Sequence, residues 1–154
     1  VINLVASIVD ENKQGDEAFL LTFVDTGKIV VRQEFTEDNA QLRDAAENMF
    51  IEGGPTAILD AVNISLKYLV KNAKSDPGRS RALILITDGD EHLSAAKLDE
   101  VVRRAKETNV RIFVIAMAEE KVYPKIIERL SRESGGIKYS PKGRDEIAAA
   151  ASAL

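Results

Sequence analysis

Apolar strands alternating with amphipathic helices predict an α/β fold. It is a doubly wound, Rossmann-like, mostly parallel sheet with one antiparallel edge strand and helices on both faces. Three observations carry this expectation. Ala82 to Ile86 is an unbroken apolar row, which reads as a strand buried on both faces and therefore central and parallel. The flanking stretches repeat at helical spacing, with Ile58, Ala61, Val62, Leu66 and Leu69 before it and Leu98, Val101, Val102 and Ala105 after it. A second apolar strand, Val110 to Met117, then continues the alternation.

The remaining elements follow in order. Val1, Ile2, Leu4, Val5, Ile8 and Val9 recur every three or four residues, so the first dozen residues read as a helix entered without a cap. Ala18 to Val24 and Lys28 to Phe35 are two strands joined by the tight turn Asp25-Thr26-Gly27, hence antiparallel, the second near the sheet edge. Thr36-Glu37-Asp38 starts a helix, with a hydroxyl to cap and two acids in the positive first turn; Leu42, Ala45, Ala46, Met49 and Phe50 form its inner face. Gly53-Gly54-Pro55-Thr56 breaks the chain and restarts it as the helix of Ile58 to Leu69, which ends in a polar loop from Lys71 to Arg79. Ser94 is placed to cap the next helix. Pro124 to Ser134 is a short helix stopped by Gly135-Gly136, Ile137 to Ser140 a last strand, and Arg144 to Leu154 an Ala-rich helix.

At 154 residues without cysteine, residues 1–154 fit one domain that buries roughly two thirds of its unfolded surface without disulfides or zinc thiolates. A net charge of −4 with interspersed signs and no basic block gives no nucleic-acid footprint. No apolar run approaches the ~20 residues of a membrane-spanning helix. Phe19, Phe23, Phe50 and Phe113 fall on core-facing positions and serve packing.

Chemistry concentrates at two places. Asp88 follows the central strand and precedes Gly89, where open α/β sheets place ligands; an acid there serves as a cation ligand or stabilises a turn. Thr56 opens a helix after a Gly-rich break, so it belongs to the same rim, as a ligand or as a helix cap. Such hard oxygen donors suit Mg²⁺ or Ca²⁺ more than zinc. Asp90 and Glu91 read as a solvated acidic loop, and His92, the single histidine, as a surface residue of that loop. Gly53 to Thr56 could cradle a phosphate, but it lacks the Lys and the spacing of a P-loop.

Phe-Thr-Glu-Asp at 35 to 38, Gly-Gly-Pro-Thr-Ala at 53 to 57, Leu-Ile-Leu-Ile-Thr-Asp-Gly-Asp at 83 to 90 and Ser-Gly-Gly at 134 to 136 together resemble the von Willebrand factor type A domain, in particular its bacterial branch. The resemblance implies a metal-ion-dependent adhesion site on the carboxyl rim, with Thr56 and Asp88 as metal ligands and Mg²⁺, Mn²⁺ or Ca²⁺ as the cation. It implies a non-catalytic protein-binding and cell-adhesion module that takes an acidic side chain of a partner protein. It leans toward an extracytoplasmic or cell-surface location. The family's Asp-x-Ser-x-Ser motif is not found in this sequence, so Thr56 and Asp88 alone are not expected to hold the cation stably.

Two other readings stand beside it. A Mg²⁺-dependent phosphohydrolase would use Asp88 and Asp90 as metal ligands or nucleophile, and a metal-free structural scaffold would need neither. The resemblance also carries an expectation about the sheet. The family's first strand is central, between the strands at Ala18 to Val24 and Ala82 to Ile86. Those two strands are then expected to stand roughly 9 to 10 Å apart instead of the ~4.8 Å of direct pairing, with a further roughly 15 to 25 residues, a strand, a loop and a helix start, ahead of Val1.

Overall fold

Ten elements make up the computed structural model, which describes residues 1–49, 56–87, 91, 93–117, 124–141, 146 and 149. In chain order they are α1 (Ile2–Asp10), β1 (Ala18–Phe23), β2 (Ile29–Thr36), α2 (Asn39–Glu47), α3 (Ile58–Asn72), β3 (Arg81–Thr87), α4 (Leu98–Glu107), β4 (Val110–Ala116), α5 (Pro124–Ser134) and β5 (Lys138–Tyr139). Phe50 and the Ala-rich helix expected from Arg144 onward fall outside the described residues, save that Glu146 and Ala149 are helical and exposed.

The α/β class holds. β1 pairs with β2 in an antiparallel ribbon, and β3, β4 and β5 form a parallel sheet in that order. Period-two alternation sends Phe19, Phe23, Leu83 and Leu85 to one face, against Ile58, Val62, Leu66 and Leu69 of α3 and the inner faces of α4 and α5. Ala18, Leu20, Ile84 and Ile86 point to the other face, which α1 and α2 cover. Phe35 stacks on Tyr68 at 5.9 Å between centroids, Phe19 meets both at a tilt at 4.9 and 5.0 Å, and the three lock the ribbon onto α3.

β1 and β3 do not pair with each other, so the described strands form two separate sheets. A cavity of about 1240 Å³ separates them, larger than the roughly 300 to 1,000 Å³ of an ordinary ligand pocket. Every residue of β1 and of β3 borders it in unbroken succession, which is how a strand edge meets a space; a strand face would present alternate residues. α1 and α3 close it above and below with Val5, Ile8, Val62 and Leu69. The open edge explains why β3 is less buried than its apolar row predicts. Leu85 and Thr87 are buried, whereas Leu83, Ile84 and Ile86 are half-buried and Ala82 is exposed. β4, with neighbours on both sides, is buried at every position except Arg111.

The facing strands of the two sheets nevertheless run in the same direction. At one end the Lys74 amide donates to Glu17 Oε1 at 2.6 Å and Arg79 Nη1 to the Gly15 carbonyl at 2.7 Å, joining the entries to β1 and β3. At the other end the Ala57 amide donates to the Val24 carbonyl, and the Leu93 amide to the Thr56 carbonyl. Entries lie with entries and exits with exits, so β1 and β3 point the same way.

Two caps differ from expectation. α2 is capped by Asp38, whose carboxylate accepts from the Ala40 and Gln41 amides, while Thr36 Oγ1 accepts from the Asp38 amide one step earlier. A carboxylate is the stronger acceptor for the positive helix start, so the acid displaces the hydroxyl from the capping position. Ser94 does not cap α4, which starts after Lys97 without a side-chain cap; its hydroxyl accepts from the Asp60 amide of α3 and donates to Glu91.

α5 ends as its glycines predict. Gly135 takes φ +83°, the Gly136 amide reaches the Ser131 carbonyl and the Gly135 amide the Arg132 carbonyl. A Cβ on Gly136 would sit 2.0 Å from the Ile112 carbonyl oxygen, so that glycine is demanded by a backbone approach. Gly136→Ala should therefore destabilise by the upper part of the ~1–3 kcal/mol typical of overpacking, and Gly135→Ala by about 1–2 kcal/mol of left-handed strain, both read by urea denaturation. Equal, negligible losses would contradict the close approach.

Arg129 braces α4 to α5, donating to Glu133 of its own helix and to Asp99. The hydrogen bond from Arg129 holds the Glu133 carboxyl below the usual carboxylate range. A lowered folded value stabilises above the unfolded value and loses that contribution as pH falls through the folded one. Melting temperature should thus drop below about pH 4.5 more steeply for the native chain than for Arg129→Gln, at low salt.

Candidate cation-binding rim

The carboxyl ends of β1 and β3 meet the start of α3 along one edge of the fold. Thr56 sits there half-buried, two residues ahead of α3, with its carbonyl taking the Leu93 amide at 3.4 Å. It is not the helix cap: that position belongs to Ala57, which offers no side-chain acceptor. Thr87, buried at the end of β3, accepts the Met117 amide on its carbonyl at 2.8 Å, and both threonines border the cavity between the sheets. Asp88 lies outside the described residues, as do Asp90, His92 and Gly53 to Pro55.

A helix without a local cap leaves amides in need of acceptors. α3 obtains them from the chain that follows β3, more than thirty residues away. The Leu59 amide donates to Glu91 Oε2 at 2.9 Å and the Asp60 amide to Ser94 Oγ at 3.1 Å. Ser94 in turn donates from its amide to Glu91 Oε1 at 3.0 Å and from its hydroxyl to Oε2 at 2.9 Å. Asp60 returns the exchange, accepting from the Ala95 and Ala96 amides at 3.0 and 2.8 Å.

Glu91 is therefore no solvated loop acid. It is a part-buried cap: the N-cap position of α3, Ala57, offers no side-chain acceptor, and the first-turn carboxylate of Asp60 is taken up by the Ala95 and Ala96 amides, so the Leu59 amide turns to Glu91. The interlock also bears on the phosphate reading of Gly53 to Thr56: the Leu59 and Asp60 amides, which a phosphate would use, are already bonded to Glu91 and Ser94. Sequence reasoning missed Glu91, Ser94 and Asp60 as members of this rim. Their single local signal is the three-residue spacing of Glu91 and Ser94, which resembles an ordinary turn.

Among the described residues no group of three His, Cys, Asp or Glu side chains is arranged to hold a metal ion. The hydroxyls that border the rim are hard, neutral oxygens, which fit a Mg²⁺-type cation in kind but are too few to hold one alone.

A domain of this kind belongs to the class of open-sheet α/β domains. The family model described as von Willebrand factor type A domain matches residues 1–146, and the chain belongs to that family. Similar solved structures include the conserved hypothetical protein BatB from Bacteroides thetaiotaomicron, at TM-score 0.74 and 18% identity over 99% of this chain and 83% of that one. An aerotolerance-related membrane protein from Bacteroides fragilis gives 0.71 and 18% over 97% and 82%. A von Willebrand factor type A protein from Catenulispora acidiphila gives 0.80 and 16% over 99% of this chain and 36% of that one. At these identities they show the shared fold. No curated protein matches the chain at a significant level. Domains of this family are generally non-enzymatic, and the chain is of the general protein-interaction module type. Among the described residues no helix is long and apolar enough to cross a membrane.

The interlock predicts a non-additive mutational pattern. Ser94→Ala should cost within the ~0.5–2 kcal/mol of a lost helix cap. Glu91→Ala with Ser94→Ala should cost less than the sum of the two, because they share one network. Urea denaturation of the single and double variants measures this, and strict additivity would count against a shared cap.

Proposed function

We propose that the protein binds an acidic side chain of a partner protein through a divalent cation at the carboxyl rim, with Thr56 and Asp88 among the ligands. The observation that supports it is the hydrogen-bonded interlock holding Thr56 at the carboxyl rim, beside the chain that leaves β3. In this reading Thr56 contributes a neutral hydroxyl and Asp88 a carboxylate. Mg²⁺ is the natural occupant, with Mn²⁺ and Ca²⁺ as substitutes. Bound with few protein charges, the cation supplies an electrophilic position for a carboxylate from outside. The described residues do not complete the coordination, so further ligands are part of the proposal. An extracytoplasmic or cell-surface site of action fits the similarity to a structure described as an aerotolerance-related membrane protein.

Mn²⁺ titration of the protein as encoded, followed by thermal unfolding in Mn²⁺ and in chelator, tests this. A cation bound to the folded form alone stabilises it by about 2.7 kcal/mol at one hundred times its dissociation constant. Thr56→Val, which removes the hydroxyl at constant shape, and Asp88→Asn should each abolish most of that gain. Identical unfolding of the native protein in Mn²⁺ and in chelator would sink the reading.

A further inference from the structure

We infer that Glu91 is the positioning residue of the rim: it holds Thr56 in place by fixing the first turn of α3 to the chain that leaves β3. Its functional consequence rests on the cation reading above; its geometry rests on hydrogen bonds alone.

Glu91 uses both carboxylate oxygens on separate backbone donors. Oε2 takes the Leu59 amide, and Oε1 takes the Ser94 amide. A glutamine offers one acceptor oxygen and turns an NH₂ toward the other amide, so it satisfies one donor and opposes the second. An aspartate is one methylene shorter. The position therefore demands a glutamate, which a solvated loop would not.

Thr56 lies inside the bracket that these bonds form. Its carbonyl is held by Leu93, which sits between Glu91 and Ser94, and the next residue, Ala57, is held on the other side by the Val24 carbonyl at the end of β1. Shifting Thr56 along or around the axis of α3 breaks the Leu59–Glu91 and Asp60–Ser94 bonds together. Asp60 closes the bracket from the helix side through Ala95 and Ala96. β1 and β3 make no strand bonds to each other, and among the described residues this bracket and the Ala57–Val24 bond join the two sheets at the rim.

A second tie between α3 and α4 provides the control. Arg104 Nε donates to Asn63 Oδ1 at 2.8 Å, away from Thr56 and its neighbours. Glu91→Gln and Asn63→Ala are compared in the protein as encoded, by hydrogen exchange of the Ala57 and Leu93 amides and by Mn²⁺ affinity. Neither substitution touches a bond made by those two amides. Glu91→Gln should accelerate their exchange at least tenfold and weaken Mn²⁺ binding at least tenfold, while Asn63→Ala changes either by less than twofold. If Glu91→Gln does not fold, Ser94→Ala removes one limb of the bracket and should give about threefold effects on both. The inference is overturned if Ala57 and Leu93 exchange at native rates in the Glu91 variant, if Asn63→Ala reproduces its effects, or if Mn²⁺ binds the Glu91 variant as tightly as the native protein. A native protein that binds no Mn²⁺ overturns the cation reading instead, and the two amide rates then decide the positioning role on their own.

Discussion

α1 and α3 each pack against both groups of described strands. The β1–β2 ribbon and the β3–β4–β5 sheet share no strand pairing, so their relative position depends on side chains that reach both. α3 supplies Val62, Leu66 and Leu69 to the phenylalanines of the ribbon and to Leu83 and Leu85 of β3. On the opposite face α1 places Val5 and Val9 against Ala18 and Leu20, and Leu4 against Ile84 and Ile115. Burial of apolar area is non-directional, and by itself it would let the sheets slide. Direction comes from the hydrogen bonds at the two ends, Glu17 with Lys74 at the entries and the Thr56 bracket at the exits.

The rim inherits its character from that arrangement. A helix whose N-cap residue, Ala57, offers no acceptor draws in a carboxylate and a hydroxyl from Glu91 and Ser94. The positive end of α3 is neutralised internally by Glu91, which leaves the rim to neutral hydroxyls and whatever carboxylates the neighbouring loops contribute. Such a rim suits a cation that must keep its pull on an incoming acid better than it suits an anion bound by amides.

Part of the rim was legible from residue order. Thr56 follows a Gly-rich break and precedes a helical stripe, so its place at a strand-exit rim follows from topology alone. Glu91 was not legible, because its role depends on a helix start thirty-two residues earlier that lacks a cap of its own. Ser94 misled for a related reason: a serine ahead of an apolar helix reads as that helix's cap, yet the free amides of α3 lie nearer and outcompete it. Local rules pair a donor with the nearest acceptor in sequence, while the fold pairs it with the nearest in space.

The sequence by itself determined the class of the fold, the succession of its strands along the chain, the inner faces of α3 and α4, and the glycine stop after α5. All of these follow from periodicity and from backbone conformations that few residues tolerate. The tertiary structure decided how far the apolar row of β3 is buried and which side chains secure the rim. Those depend on distances between segments remote in the chain, and hydrogen-bond satisfaction across such distances leaves no periodic trace in the order of residues.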